Sequence, residues 1–224
     1  MSNENCAWVK VDLHVHTICS RDSLISFQEI IPWAKRRGLN AVAITDHNTI
    51  DGLSKISKEA DFIILPGVEI SSCDGHIVAL NVSQNVPRGL TAEETVERIH
   101  ALGGIAVACH PFAPFKGSLR NHVNNKFDAV EVINASAFPF KRSTKKAEEI
   151  AERFKLPQVA GTDAHYAPAI GYAYTVVDAD LNVDSIIDAI IHGRCKPAGT
   201  SLPVTLKLKK QYLHVVKKIA AIFR

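Results

Sequence analysis

Imidazole and carboxylate side chains recur in short clusters along this 224-residue chain: Asp12-Leu-His14-Val-His16, Asp46-His47, Glu69, His110 and Asp163-Ala-His165. Residues two apart on a strand share a face, so His14 and His16 point the same way and can grip one ion. Alone, that pair fits a polar edge strand equally well. As a set the clusters suit zinc, manganese or iron, and the lack of thiolate argues against a purely structural zinc. There are more donors than one tetrahedral ion uses, which predicts two or three metals bridged by a carboxylate. Multinuclear sites of that kind generate hydroxide at neutral pH and clamp a phosphoryl group during in-line attack.

The clusters lie where strands are expected to end. Val9, Val11, Leu13 and Val15 alternate with Lys10, Asp12, His14 and His16, the pattern of a first strand over 9–16. The apolar run 41–44 empties into Asp46-His47, and the run 62–65 precedes Glu69, which falls just beyond it. Residues 105–108 stop at Cys109-His110, and 157–160 lead into Asp163 and His165. Further strands are expected at 75–80, 129–133 and 173–177. Helices are expected at 26–37 and 91–102, each opened by a capping box (Ser26…Glu29, Thr91…Glu94), and at 51–60, 143–154 and 183–192. Short apolar strands alternating with helices predict an α/β fold with a mostly parallel sheet, closed or nearly closed into a barrel. The C-terminal ends of barrel strands converge on one face, so residues distant in sequence would meet there.

The motifs Asp12-Leu-His-Val-His16, Ile44-Thr-Asp-His47, Gly67-Val-Glu-Ile70, Gly75-His76, His110-Pro-Phe112 and Gly161-Thr-Asp-Ala-His165 resemble the polymerase and histidinol phosphatase (PHP) family, in order, from about Val9 to Val177. The resemblance implies a distorted (β/α)7 TIM-like barrel whose trinuclear metal site hydrolyses phosphoesters through a metal-bridging hydroxide. It implies that His14, His16, Glu69 and Asp163 hold one metal. Glu69 would bridge to a second, held with His76 and His110. His47 and His165 would hold a third with an aspartate from the loop after the first strand. Many family members read Tyr-Ser-Asp-Gly in that loop; here it reads Cys19-Ser-Arg-Asp-Ser23, and Asp22 is its one carboxylate. Glu69, Asp163 and His165 are the expected catalytic residues. Arg21, Lys116, Arg120 and Arg142 are the expected contacts to substrate phosphate. Asp46 is read as orienting a ligand imidazole, and Glu131 as a hydrogen-bonded carboxylate behind the ligands, with direct ligation as the alternative for each. His100, His122, His192 and His214 are expected at the surface.

The five cysteines (6, 19, 73, 109, 195) are scattered without a Cys-x-x-Cys pair, which argues against a disulfide framework. No stretch approaches the ~20 apolar residues of a membrane span, and the first residues lack the pattern of a signal peptide, so a cytoplasmic protein is expected. From Gly193 onward there are eight Lys or Arg and no Asp or Glu, which leaves 18 basic against 23 acidic residues before it. An acidic body suits multivalent cations. The expected division is a barrel over 1–200 and a basic helical extension over 201–224. The extension is expected to lay Tyr212, Val216, Ile219 and Phe223 on the barrel, with contact to nucleic acid or an anionic membrane surface as alternatives. The leading function is metal-dependent hydrolysis of a phosphorylated small molecule, a nucleotide or a short oligonucleotide. The alternatives are an amidohydrolase-type metal hydrolase and a non-catalytic metal-binding scaffold.

Overall fold

A computed structural model describes residues 8–222 except Lys58, with side chains as far as residue 216; Cys6 lies outside these residues. One nine-stranded sheet runs in the order β7-β6-β5-β4-β3-β2-β1-β8-β9. The strands are β1 (Trp8–Val15), β2 (Ala41–Ile44), β3 (Ile63–Ser71), β4 (His76–Leu80), β5 (Ile105–Ala108), β6 (Ala129–Asn134), β7 (Gln158–Gly161), β8 (Ala173–Asp178) and β9 (Cys195–Gly199). The helices are α1 (Phe27–Arg36), α2 (Ala92–Ala101), α3 (Phe140–Phe154), α4 (Val183–Ile191) and α5 (Val204–Ile222). The count of nine exceeds the seven that the resemblance implied. The sheet is also mixed: β3–β4, β4–β5, β1–β8 and β8–β9 pair antiparallel, and the other neighbours pair parallel.

The sheet curls until its β7 end meets β1. His16 N donates to Ala164 O at 3.0 Å and Ala164 N to His14 O at 3.1 Å, which nearly closes a barrel. The inward faces of the strands contribute Val9, Val11, Leu13, Leu65, Val78, Leu80, Val107 and Val159 to one buried cluster. Ile186, Ile187 and Ile190 of α4 complete it. Alternation continues along those inward faces and places Glu69, His76 and Glu131 beyond the apolar layer. The opposite faces of the strands are covered by α1 on one side and by α2 and α3 on the other.

Several local expectations need correction. Glu69 lies inside β3, because the strand continues past Gly67 to form a hairpin with β4. The helix expected over 51–60 is a single 3-10 turn, Leu53–Lys55. Gly52 lies against Asp46 there, where a Cβ would stand 2.6 Å from Asp46 Oδ2, so this segment packs closely over the end of β2. In β1 the register with β2 shifts between Asp12 and Val15. Val15 thereby leaves the interior cluster for the outer one, and the simple alternation ends where the histidines begin. In α5, Tyr212 and Val216 are exposed (66% and 43%), whereas Leu206, Lys207, Lys210, Leu213 and His214 are the half-buried positions. Ile219 and Phe223 lie outside the described side chains. Both capping boxes are present: Glu29 accepts from Ser26 N at 2.9 Å and Glu94 from Thr91 N at 2.9 Å. Among the described residues, no helix is long and apolar enough to cross a membrane.

Closure of the barrel leaves no room at Gly161, where an added Cβ would meet His14 Cβ at 2.5 Å and Glu131 Oε1 at 2.7 Å. Gly161→Ala is expected to destabilise the fold by about 1–3 kcal/mol, the usual cost of overpacking. That cost corresponds to a drop in Tm of several degrees, readable by circular dichroism. An unchanged Tm would contradict the close approach of β7 to β1.

Candidate metal centre

Glu69 is the hub of the site. Its carboxylate is 1% exposed and lies within 3.5 Å of five imidazoles. Oε1 is 2.8 Å from His76 Nδ1 and 2.9 Å from His110 Nε2. Oε2 is 3.0 Å from His47 Nδ1, 3.3 Å from His16 Nε2 and 3.5 Å from His14 Nε2. Asp163 adds a second carboxylate, 3.4 Å from His16 Nε2 and 3.3 Å from His165 Nδ1. Asp22 adds a third, 3.0 Å from His165 Nε2 and 3.6 Å from His47 Nε2. The loop after β1 thus delivers its one carboxylate to the pair His47 and His165. All nine sequence-predicted ligands meet at one end of the barrel.

A buried layer beneath the ligands holds them in place. His14 Nδ1 lies 3.0 Å from Glu131 Oε1, and Glu131 Oε2 accepts from His110 N at 2.8 Å and Asn134 Nδ2 at 2.9 Å. Glu131 is thus hydrogen-bonded, as expected, and supports two candidate ligands from behind. His110 (φ 33°) and Asp163 (φ 56°) both occupy the left-handed region that non-glycine residues avoid. Such conformations persist where the surroundings over-determine them, and the Glu131 bond to His110 N is one such constraint. Asp46 accepts from Thr17 N (2.7 Å), Thr17 Oγ1 (2.6 Å) and Ser20 Oγ (2.6 Å). Ser20 Oγ in turn lies 3.3 Å from His16 Nδ1 and accepts from His47 N at 3.1 Å. Asp46 thus steers the ligand imidazole through Ser20, not directly.

Sequence reasoning missed what Asp12 does. Its buried carboxylate accepts from His14 N (3.2 Å), Thr162 N (2.8 Å) and Gly171 N (2.9 Å), and so ties β1 to the chain flanking Asp163. Burial outweighs those bonds and raises its pKa to about 6. Strand alternation did place Asp12 on one face with the histidines, and that was the available signal. Ser20, Asn134 and the lysines of α5 were also overlooked, since none carries a spacing that marks it.

The electrostatics favour cations. Burial alone would push Glu69 and Asp163 toward protonation, but the surrounding imidazoles, and for Asp163 the Lys116 ammonium, hold both well below the usual carboxylate range. Burial disfavours charge on His14 as well, yet Glu131, Asp163 and Glu69 raise its pKa well above the ordinary value. His47 is raised to about 10, because Asp22 and Glu69 outweigh its own desolvation. His16 is pushed well down by burial and by the neighbouring His165. Cys109 is buried 3.7 Å from Glu69 Oε1, to which its thiol donates; burial and that carboxylate push the thiol well up.

The donors fit metal ions. Buried polar atoms normally find partners. Here His14 Nε2, His16 Nε2, Glu69 Oε2, His110 Nδ1 and His165 Nε2 are buried without a well-directed hydrogen bond, although charged neighbours crowd them, Asp22 beside His165 and His47 beside Glu69. Four overlapping triads have ligand atoms within 4.8 Å of one another: His14/His16/Asp163, His14/Glu69/His110, His47/Glu69/His76 and His16/His47/His165. Residues shared between triads are what a multinuclear centre requires.

Of the expected substrate contacts, Lys116 reaches the centre and pairs with Asp163. Arg120 and Arg142 meet in an adjoining cavity of about 360 Å³ with Phe112 and Lys146. Arg21 is exposed beside Asp22. His122 and His192 are exposed as expected, and His214 is half-buried. His100 pairs with Asp128 at 2.8 Å.

Ligand imidazoles must be neutral, so metal loading has to expel the protons that the raised pKa values of His14 and His47 retain at neutral pH. Manganese affinity is therefore expected to rise continuously with pH through the neutral range and on toward about pH 10, where proton competition at His47 fades. Calorimetry in buffers of different ionisation enthalpy should report released protons. Binding that is independent of pH and releases none would contradict this electrostatic account.

Comparison with known proteins agrees with the geometry. Residues 12–137 match the PHP domain and residues 141–195 a PHP-associated region. An uncharacterized protein of Methanocaldococcus jannaschii is 38% identical over 141 residues, covering 57% of this chain and 82% of its own. A 5'-3' exoribonuclease of Haemophilus influenzae is 37% identical over 86 residues, covering 35% of this chain and 31% of its own. The fold is similar (TM-score 0.73, 18% identity, 87% of this chain and 65% of the other) to a two-domain Bacteroides vulgatus protein containing a predicted PHP-like metal-dependent phosphoesterase. With this ligand geometry and a family match over more than half its length, the chain belongs to the PHP family.

Proposed function

We propose that this protein hydrolyses phosphoester bonds with two or three divalent metals, manganese, zinc or iron. His14, His16, Glu69 and Asp163 would hold one metal. Glu69, His76 and His110 would hold the second, and His47, His165 and Asp22 the third. The observation that carries this reading is the set of buried imidazole nitrogens that converge on buried carboxylates without a well-directed hydrogen bond. Such metals supply Lewis acidity toward a phosphoryl oxygen and lower the pKa of water.

The chain supplies the rest. Glu69, Asp163 and His165 line the mouth of the centre, a cavity of about 360 Å³, and are assigned to touch the reacting atoms. Lys116, at the same mouth, is assigned to a non-bridging phosphate oxygen, where a fixed ammonium stabilises charge that develops in the transition state. Arg120 and Arg142 hold a more distant part of the substrate, and Arg21 contributes from the loop of Asp22. Phe115, beside Lys116, is fully exposed and lines the same mouth. An aromatic face there is available for stacking on a nucleobase, which favours a nucleotide or short oligonucleotide over a sugar phosphate. An amidohydrolase reading is disfavoured because Glu69 is the carboxylate central enough to bridge metals, and Lys116, the lysine at the mouth, is paired with Asp163.

The test is a panel of phosphomonoesters, phosphodiesters, nucleotides, short oligonucleotides and amides. It is run on protein reconstituted separately with manganese, iron and zinc. Phosphoester turnover is expected with at least one metal, and it should be abolished by a chelator and restored by that metal. Glu69→Ala or His110→Ala should lower kcat/KM at least about a hundredfold, or about 2.7 kcal/mol. Full activity in either variant would overturn the scheme. Bound metal with no turnover would favour the scaffold, and turnover confined to amides the amidohydrolase.

A further inference from the structure

Beside the metal centre lies a second cavity, of about 180 Å³, whose outer wall is α5. Leu202 N donates to Ala135 O at 2.8 Å and pins the start of this helix beside the end of β6. The floor is apolar, from Leu202, Leu206 and Ala169; the inner end is Asp163 and His165; the rim is Lys116, Lys207 and Lys210. Lys207 and Lys210 stand three residues apart on one face of the helix and are half-buried. Neither has an ion-pair or hydrogen-bond partner among the described residues, whereas the more exposed Lys35 and Lys126 each hold carboxylates.

We propose that Lys207 and Lys210 form an anion subsite for a second phosphate of the substrate, next to the one being cleaved. This rests on the phosphoesterase reading of the neighbouring centre. Half-burying an ammonium costs free energy unless a counter-charge compensates. The two carboxylates nearest, Asp163 and Asp22, are already engaged by Lys116 and by His47 and His165. Burial lowers the pKa of both lysines and the Lys116 ammonium adds to that, while for Lys210 the more distant Asp163 and Asp22 oppose the shift without cancelling it. Lys207 and Lys210 therefore face the cavity without a counter-charge of the protein's own, and an anionic group on the ligand would compensate both. The apolar floor suits the non-ionic part of the ligand between the two phosphates. Two kinds of substrate carry such a pair: an oligonucleotide, whose next phosphodiester follows the scissile one, and a small bisphosphate.

The decisive variant is Lys207→Ala/Lys210→Ala in the full chain. Lys209→Ala, exposed on the same helix, is the control for charge alone. One arm compares thymidine 5′-monophosphate with the 5′-phosphorylated thymidine dinucleotide; the other compares glycerol 3-phosphate with fructose 1,6-bisphosphate. The double variant is expected to raise KM for the two-phosphate member of at least one pair by about tenfold or more, with a much smaller effect on the one-phosphate member. The pair that responds identifies which source of the second phosphate the subsite takes. Pyrophosphate binding, followed by calorimetry, should weaken by a similar factor in the double variant and stay unchanged in Lys209→Ala. Equal losses within both pairs, or the same loss in Lys209→Ala, would overturn the subsite. If no ester is turned over by the parent protein, the phosphoesterase reading fails, and the pyrophosphate titration still decides whether the subsite exists. A Tm matching the parent separates loss of the subsite from loss of the helix.

Discussion

A single buried carboxylate organises this molecule. Removing a carboxylate from water costs several kcal/mol unless opposite charge and hydrogen bonds replace the solvent. Glu69 is compensated by five imidazoles drawn from β1, from the end of β2, from β4 and from the end of β5. Each of those segments must therefore deliver a side chain to the same point. The barrel provides that point, because its interior changes along the strand axis from the apolar layer of Leu13, Leu65, Val78 and Val107 to the ligating layer above. The site is where the hydrophobic core ends.

Bringing β7 close enough to add Asp163 places a second demand on the fold. The parallel half-barrel formed by β1, β2 and β3 must close against the half formed by β5, β6 and β7. Two devices accomplish this. Asp12 gathers three backbone N–H groups from both sides of the seam, and Gly161 lets β7 lie against His14 and Glu131 without a side chain between them. The register shift within β1 then departs from strict alternation just where His14 and His16 leave the sheet for the centre. Irregularities of this kind re-aim side chains next to active sites. They are features of the site as much as of the strand.

Much of this was legible in the sequence because metal ligation uses a small set of residue types at the ends of apolar runs. His14, His16, His110, Asp163 and His165 could be placed at strand ends from periodicity alone, whereas Asp22 rested on the family resemblance, which calls for an aspartate in the loop where it is the one carboxylate. Glu69 was recognised as a site residue but misplaced relative to its strand, because Pro66-Gly67 reads as a terminator. In the fold β3 runs through both residues, since Gly67 packs under the Ala79 and Ile44 carbonyls. Strand β9 was missed for a similar reason: Cys-Lys-Pro-Ala-Gly has low strand propensity, and its pairing with β8 at the sheet edge tolerates the proline. The tail was misread because helical periodicity shows which residues share a face, not which face turns inward. Tyr212 and Val216 form an apolar stripe, yet the inward face is the one that carries Leu206 and Lys210.

That inversion matters for the charge distribution. Net acidity in the body of the chain and net basicity in its last residues are ordinarily read as separate properties, one for cation binding and one for docking elsewhere. The fold joins them. A centre built from three carboxylates and six imidazoles attracts cations, and once it is loaded the local charge becomes positive. Lysines placed over it beforehand would repel the metals if they stood in direct contact with the ligands. Lys207 and Lys210 avoid this by standing off on α5, across the 180 Å³ cavity, while Lys116 alone reaches a ligand, Asp163. The arrangement separates two steps that compete electrostatically. With metals held at the strand ends as proposed, the more distant ammonium groups would be left to act on an anionic substrate. A helix with its apolar side turned inward would have covered the cavity but could not have divided the charge in this way.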